Sequence, residues 1–315
     1  MTASADKRRS FPAALLFSPD EHRLRAGWRL ALQAMLQMLL TLGLALAFLV
    51  LPQALRNQSL DIRTGYGLGL GEIAEVVTVT ASVWIARRLL DHRSFSSLGL
   101  RISRRAVLDL GAGIGIAMVV MGVIFAAEAA LGWLTLRGFA WDSQPGPLIA
   151  SNSLGFLAVF VLVGWSEELM SRGYHLQTLA SGLNLGWGLV LSSAVFGVLH
   201  LANPHATWAS AAGIFLAGLF LGYAYIRTRQ LWLSIGLHIG WNFFEGVVFG
   251  FPVSGLDVYR LVTTRVSGPA LWTGGAFGPE AGLIVVPALL AGTVLVRWYG
   301  RRHETIEASG QGRTV

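Results

Sequence analysis

Long apolar segments are the feature that most constrains the fold of this chain. Eight of them approach the roughly 20 residues that a helix needs to cross the hydrocarbon core of a bilayer. They cover residues 28–51, 66–87, 106–135, 148–179, 185–202, 206–226, 231–251 and 281–298. Charged residues make up only 13% of the 315 residues, whereas soluble domains carry about 25%. The sequence therefore predicts an all-α, polytopic integral membrane protein with about eight transmembrane helices.

The distribution of basic residues predicts the orientation of these helices. Cytoplasmic loops of membrane proteins retain an excess of positive charge. Here the basic residues are concentrated before the first segment, between the second and third, between the sixth and seventh, and after the eighth. We therefore expect both termini in the cytoplasm. The preference for arginine over lysine indicates a GC-rich bacterial genome, and hence the inner membrane of a bacterium.

The net charge of +7 and the absence of cysteine restrict the classes of function. We attribute the excess of positive charge to topology and to contact with anionic lipids, and we expect no nucleic-acid partner. Without cysteine the chain has no disulfide, no thiolate zinc site and no cysteine nucleophile.

The chain is expected to divide into four parts. Residues 1–27 form a basic cytoplasmic tail, and residues 28–145 form helices 1 to 3. Residues 148–251 form helices 4 to 7, which carry the polar motifs. Residues 252–315 form an external loop, helix 8 and a cytoplasmic tail, and the loop has room for a short interfacial helix.

Three polar motifs interrupt the apolar helices 4, 5 and 7. They are "EELMSR" with Glu167, Glu168 and Arg172, "FGVLH" ending at His200, and "HIGWN" from His238 to Asn242. An ionisable side chain at mid-membrane costs roughly 2.5 to 3.5 kcal/mol on insertion scales, so side chains retained there are functional candidates. Glu72 and Glu75, near the outer end of helix 2, are interpreted as structural.

Chain distances predict that the three motifs meet. If helices 4 and 5 form an antiparallel hairpin that turns near residue 183, Glu167 and His200 are about equally far from the turn and lie at similar depth. His238 rises from the same side of the membrane and reaches a comparable level. We therefore expect a cavity between helices 4, 5 and 7.

Helical phase assigns separate roles to the two adjacent acids. Glu168 and Arg172 are four residues apart, so they share a helix face and form a pair. Glu167 is turned about 100° away and faces another helix, which makes it the reactive carboxylate. His238 and Asn242 also share a face, so a donor from each can converge on one oxygen atom.

The ordered set of motifs on successive membrane helices resembles the CAAX protease and bacteriocin-processing family, also called Abi or CPBP, which includes the type II CAAX prenyl endopeptidases. The resemblance extends from about residue 154 to residue 246. It implies eight membrane helices, endopeptidase activity on membrane-tethered peptides or proteins within the lipid bilayer, and catalytic roles for the motif positions Glu167, Glu168, Arg172, His200, His238 and Asn242.

The chemistry of these residues allows two mechanisms. In one, Glu167 and His200 activate a water molecule while His238 and Asn242 stabilise the oxyanion. In the other, Zn²⁺ is bound by His200, His238 and a glutamate, and a water occupies the fourth position. The spacing of the motifs leaves both mechanisms open.

Two other classes of function are considered. In a membrane transporter, mid-membrane Glu and His side chains would relay protons, but transporters usually contain internal repeats, and the sequence has none. A non-catalytic scaffold or immunity protein would bind a partner without needing a glutamate, two histidines and an asparagine at one depth.

Small residues four apart predict close helix packing. These are Gly111 and Gly115 on helix 3, and Gly218 and Gly222 on helix 6.

Overall fold

A computed structural model describes residues 15–18, 23–49 and 65–311, with side chains for 15–18, 23–48 and 68–301. Most of the expected N-terminal tail, the end of the first predicted span at 50–51 and the final residues 312–315 lie outside the described residues.

The described chain is mainly helical. Its α-helices are α1 (Ala26–Leu49), α2 (Gly65–Leu89), α3 (Arg104–Ala130), α4 (Gly146–Glu168), α5 (Leu176–Gly182), α6 (Leu185–Leu199), α7 (Trp208–Thr228), α8 (Trp232–Asn242), α9 (Ala270–Thr273) and α10 (Val285–Gln311). A π-helix, Leu169–His175, joins α4 to α5, and a second, Phe243–Val248, continues α8. Short 3₁₀ helices are formed by Phe95–Leu98, Ala140–Asp142, His200–Ala202 and Pro279–Ala281.

Six helices within the described residues are long and apolar enough to cross a membrane: Ala26–Phe48, Leu68–Leu89, Arg104–Ala130, Gly146–Gly182, Leu185–Ala202 and Trp208–Thr228. The prediction of a polytopic helical membrane protein is thus confirmed, with six such spans instead of about eight. The seventh predicted span is a shorter helix that ends at Val248. The eighth begins later than predicted, at Val285, and soon reaches Arg297.

A small antiparallel sheet of two strands accompanies the helices, whose predominance confirms the all-α prediction. The third span was expected to reach residue 135, but α3 ends at Ala130, and Gly132 then adopts a φ of 71°, which favours glycine. The chain turns there into β1 (Leu134–Phe139), which pairs with β2 (Val262–Val266). The loop expected to hold a short helix contains both β2 and α9.

Helix α8 lies at the centre of the helix assembly, with every residue from Leu233 to Asn242 buried. It packs closely on α3 because glycines face the backbone of the partner helix. A Cβ at Gly236 would lie 2.2 Å from Leu110 O, and a Cβ at Gly113 would lie 2.5 Å from Leu233 O. On α3 the contact is therefore made by Gly113 and not by the predicted Gly111, whose Cβ would meet nothing within 4 Å.

The hairpin predicted near residue 183 is present. Helix α5 ends at Gly182, and the Asn184 side chain caps α6 by accepting a hydrogen bond from Trp187 N at 2.9 Å. Helix α7 packs on α6 through Gly218, where a Cβ would lie 2.9 Å from Ser193 Cβ. The predicted packing role of Gly218 is confirmed.

A buried cluster of charges ties the helix ends opposite the sheet. Asp91, which follows α2, contacts the guanidinium groups of Arg23, Arg29 and Arg87, all at most 8% exposed. Arg29 Nη2 also donates to Ser181 Oγ at 2.7 Å. The carboxylate of Asp91 thereby connects the start of α1 to the ends of α2 and α5.

Candidate functional site

A cavity of about 210 Å³ lies among α2, α4, α6, α7, α8 and the segment that precedes β2. Four of the six predicted site residues line it, namely Glu167, His200, His238 and Asn242. The other two, Glu168 and Arg172, lie behind the wall and are at most 1% exposed. The structure therefore brings the three motifs together and separates them into a cavity lining and a buried support.

Glu167 faces both histidines. Its Oε2 atom lies 3.9 Å from His200 Nε2 and 3.7 Å from His238 Nε2. The Glu167 side chain is 22% exposed and lines the cavity, while its Oε2 atom is buried and has no hydrogen-bond partner among the described residues. Helix α4 presents this side chain to α6 and α8 at one level, in agreement with the chain-distance argument.

The other nitrogen of each imidazole is fixed by a buried acceptor. His200 Nδ1 lies 2.9 Å from the carbonyl oxygen of Phe196, and His238 Nδ1 lies 2.9 Å from Glu168 Oε1. A carbonyl and a carboxylate only accept hydrogen bonds, so Nδ1 carries the proton in both rings. In their neutral forms both histidines therefore direct a basic Nε2 toward Glu167.

Glu168 accepts hydrogen bonds from two directions. Arg172 Nη1 donates to Glu168 Oε1 at 2.6 Å, so the pair predicted from the four-residue spacing is present. The Arg172 guanidinium also donates from Nη2 to Gly218 O at 3.1 Å and lies over the Phe196 ring at 4.3 Å from its centroid. His238 binds the same carboxylate, so Glu168 contacts α8 as well as Arg172, which the four-residue spacing did not predict.

Asn242 ends α8 on the cavity wall. Its side chain is 7% exposed and has no hydrogen bond to any other residue that the structure describes. A buried amide without a partner is costly, which makes Asn242 a donor available to a bound group. The π-helix Phe243–Val248 begins at the next residue, and the other π-helix begins directly after Glu168. Single π turns of this kind are frequent at functional sites.

Three carboxylates of the cavity were not assigned to the site from the sequence. Glu72 and Glu75, interpreted above as structural, line the cavity from α2. Glu280 enters from the 3₁₀ turn Pro279–Ala281, far along the chain from the motifs. Their one sequence signal was the presence of acidic side chains at or near the ends of apolar segments, which by itself does not predict which helix faces the cavity.

Glu280 holds the loop that covers the cavity. Its Oε1 accepts from Trp241 Nε1 at 3.1 Å, and its Oε2 accepts from Ser254 N at 2.9 Å and Ser254 Oγ at 2.7 Å. Asn203 Nδ2 donates to Ser254 O at 3.1 Å, so Ser254, with a φ of 47°, is held from both sides. Burial raises the pKa of Glu280, while the Ser254 hydrogen bonds and the nearby His200 act in the opposite direction.

The donor atoms around Glu167 do not fit tetrahedral zinc. Zinc lies about 2.0 to 2.2 Å from nitrogen and carboxylate ligands, which places the ligand atoms roughly 3.3 Å apart. The separations from Glu167 Oε2 to the two Nε2 atoms are longer, at 3.9 and 3.7 Å. No group of three His, Asp or Glu side chains among the described residues is placed to hold a metal ion.

Comparison with known proteins identifies the segment that carries this site. Residues 149–244 match the family described as Type II CAAX prenyl endopeptidase Rce1-like. The matched segment contains all six predicted site residues, and it confirms the resemblance to the CAAX protease family. It supports a CAAX-type intramembrane protease as the general activity. No curated protein matches the chain in sequence.

Proposed function

We propose that the protein is an intramembrane endopeptidase that hydrolyses peptide bonds of membrane-associated substrates, of a CAAX-like or a bacteriocin-precursor kind, with Glu167, Glu168, Arg172, His200, His238 and Asn242 as the catalytic set. The observation that carries the proposal is the position of Glu167 Oε2 between the Nε2 atoms of His200 and His238, at 3.9 and 3.7 Å. This arrangement suits a carboxylate that removes a proton from a water molecule.

Glu167 and His200 activate the water. The water donates one hydrogen bond to the Glu167 carboxylate and the other to His200 Nε2, whose lone pair is free because Nδ1 is bound to Phe196 O. Glu167 takes the proton as the water oxygen adds to the carbonyl carbon of the substrate. The partial enclosure of the cavity strengthens these electrostatic interactions relative to water.

Asn242 and His238 stabilise the oxyanion that forms on the substrate. The Asn242 amide donates from the cavity wall, and His238 donates from Nε2 in its protonated form, in which both ring nitrogens carry hydrogen. When the C–N bond breaks, the proton held by Glu167 passes to the leaving amine. The products are a carboxylic acid and an amine, and Glu167 is again ionised.

Glu168 and Arg172 support this chemistry without reaching the substrate. Glu168 Oε1 binds His238 Nδ1 at 2.9 Å and thereby fixes the orientation of the imidazole ring. Arg172 balances the charge of Glu168 at 2.6 Å and lies against Phe196, whose carbonyl orients His200. The pair thus positions both histidines.

We further propose that the protein lies in the inner membrane of a bacterium with both termini in the cytoplasm. Basic residues are concentrated on the side of Asp91, the side opposite the β-sheet. Because cytoplasmic loops retain positive charge, we expect the β-sheet and the turn Pro279–Ala281 on the external side of the membrane.

The test is cleavage of membrane-tethered peptides by the purified protein in liposomes. We expect the wild type to release a defined fragment, and the Glu167→Gln and His200→Gln variants to lose at least about 100-fold in rate, the usual contribution of a general base. His205→Asn is the matched control, because His205 is exposed and its φ of 58° is tolerated by asparagine.

The outcome decides between the proposal and its alternatives. Unchanged cleavage in both variants would show that the peptidase site lies elsewhere. Absence of cleavage by the wild type on a broad set of tethered peptides would favour a transporter or a scaffold. Metal analysis of the active sample and sensitivity to chelators test the metal-free scheme separately.

A further inference from the structure

The cavity wall is acidic beyond what peptide hydrolysis requires. Glu72, Glu75 and Glu280 line it in addition to the proposed base Glu167. Glu72 and Glu75 are three residues apart on α2 and share a face of that helix. Neither carboxylate has a hydrogen bond or salt bridge to another residue that the structure describes, in contrast to Glu280.

Positive charge from the protein does not balance these carboxylates. The described residues that line the cavity include no lysine or arginine, and their basic members are His200 and His238, which face Glu167. Arg172 is paired with Glu168 behind the wall. A group of carboxylates in a partly enclosed cavity is stabilised in the ionised state when an opposite charge enters.

A second observation indicates that the cavity receives a polar group. Asn242 is 7% exposed, lines the cavity and has no hydrogen-bond partner among the described residues. A buried amide in this state is satisfied by a ligand that fills the space in front of it. The carboxylates of Glu72 and Glu75 on α2 and the amide of Asn242 on α8 therefore line the same cavity from two different helices.

We propose that Glu72 and Glu75 form a subsite for a lysine or arginine side chain of the substrate, next to the peptide bond that is hydrolysed. The inference rests on the proposed endopeptidase function and adds the class of substrate. The cavity volume of about 210 Å³ suits one large side chain beside a peptide group. The ammonium or guanidinium group would bind Glu72 and Glu75 while the adjacent peptide carbonyl lies toward Asn242.

The test measures peptide binding separately from cleavage. All binding arms use the Glu167→Gln background in nanodiscs of phosphatidylcholine, a lipid without net charge that does not itself attract basic peptides. The probes are matched membrane-tethered peptides with a single lysine or a single norleucine, which has a similar length and no charge, placed at each central position in turn. We expect the lysine peptide to bind at least about fivefold more tightly at one position, as for one partly buried ion pair.

Two variants identify the residues responsible. Glu72→Gln with Glu75→Gln should reduce the preference for lysine over norleucine to less than about twofold and leave the affinity for norleucine peptides unchanged. Glu128→Gln is the matched control, since Glu128 is a fully buried carboxylate on α3 that does not line the cavity. It should retain the full preference. Thermal unfolding of each variant verifies that the protein is folded.

Each result bears on one proposal. Equal binding of lysine and norleucine peptides, binding of neither, or an equal loss of affinity for both in the double variant would overturn the subsite. A preference for lysine together with no cleavage by wild-type protein would retain the subsite and reject the peptidase. Cleavage by wild-type protein without any preference for a basic side chain would retain the peptidase and reject the subsite.

Discussion

Glu168 Oε1 accepts a hydrogen bond from His238 Nδ1 across 2.9 Å, which joins α4 to α8 through one buried oxygen atom. The same atom accepts from Arg172 Nη1 at 2.6 Å, although the Glu168 side chain is completely buried. A buried carboxylate in this position serves both stability and orientation. Glu167, one residue earlier, is 22% exposed and has no comparable structural contact.

The first prediction separates these two adjacent acids. Glu168→Gln leaves the charge of Arg172 buried without its partner, so we expect a loss on the order of 3 to 5 kcal/mol in the free energy of unfolding, together with reduced turnover. Glu167→Gln should lower turnover at least about 100-fold and leave stability nearly unchanged. Thermal unfolding and peptide cleavage, measured on the same preparations, check the difference. Equal destabilisation by the two substitutions would contradict it.

A second prediction concerns Asp91, which balances three buried arginines. Asp91→Asn removes the negative charge and should lower the free energy of unfolding by roughly 3 to 5 kcal/mol. Asp257→Asn is the control, because the Asp257 side chain is 84% exposed and its contact with Arg260 lies at the surface. Denaturant unfolding should resolve the two variants, and similar stabilities would show that the Asp91 cluster contributes little.

Helix packing provides a third prediction. Gly236→Ala would place a Cβ 2.2 Å from Leu110 O, so α3 and α8 must move apart, at a cost of about 1 to 3 kcal/mol or more. Gly111→Ala, on the partner helix, meets nothing within 4 Å and should be neutral or slightly stabilising. Thermal unfolding of both variants is the measurement. If Gly236→Ala were as stable as Gly111→Ala, α3 and α8 would not approach each other as closely as described.

The raised pKa of Glu280 predicts how stability depends on pH. A carboxyl group whose pKa is higher in the folded state binds its proton more tightly there than in the unfolded state. Its stabilising effect is complete below the unfolded value of about 4.3 and is lost as pH rises through the folded pKa. Glu245, His200 and His238 are the charged groups that act on Glu280 across this range.

Substitution of Glu280 isolates this effect from other titrations. The melting temperature of wild-type protein minus that of Glu280→Gln should be largest near pH 4.3 and decrease toward neutral pH. Asp257→Asn serves as the comparison, because the Asp257 side chain is 84% exposed. A difference between wild type and Glu280→Gln that stays constant with pH, or increases, would reject a raised pKa.

Labelling of single cysteines tests the proposed orientation. The chain contains no cysteine, so Ser96→Cys and Thr135→Cys each introduce one exposed site, on opposite sides of the helix assembly. In intact cells, a reagent that does not cross membranes should label Cys at position 135 and not at position 96. Labelling of position 96 alone would show that the topology is the reverse of the proposed one.

Local spacing was sufficient to predict the parts of the site that depend on one helix or one hairpin. The Glu168–Arg172 pair follows from a four-residue spacing, and the approach of Glu167 to His200 follows from equal distances to the turn at Asn184. The packing of Gly218 on α6 follows from the pattern of small residues. Each of these depends on helix geometry, which is the same in every sequence.

Contacts between distant elements were not predictable in this way. Glu72 and Glu280 reach the cavity from α2 and from the loop before α10, and no local pattern encodes how those elements rotate. The pairing of β1 with β2 joins segments more than a hundred residues apart. The choice of Gly113 over Gly111 on α3 likewise depends on the rotation of that helix against α8.

The π-helix after Glu168 makes chain length itself a constraint. Its i→i+5 hydrogen bonds accommodate one more residue per turn than an α-helix does. Deletion of a single residue within Leu169–His175 would therefore let the segment close into an ordinary α-helix, and α5 and the hairpin that carries His200 would keep nearly their present direction. An insertion has no such outlet, because a further residue would turn α5 and the hairpin by about 100°, so this segment tolerates a shorter chain better than a longer one.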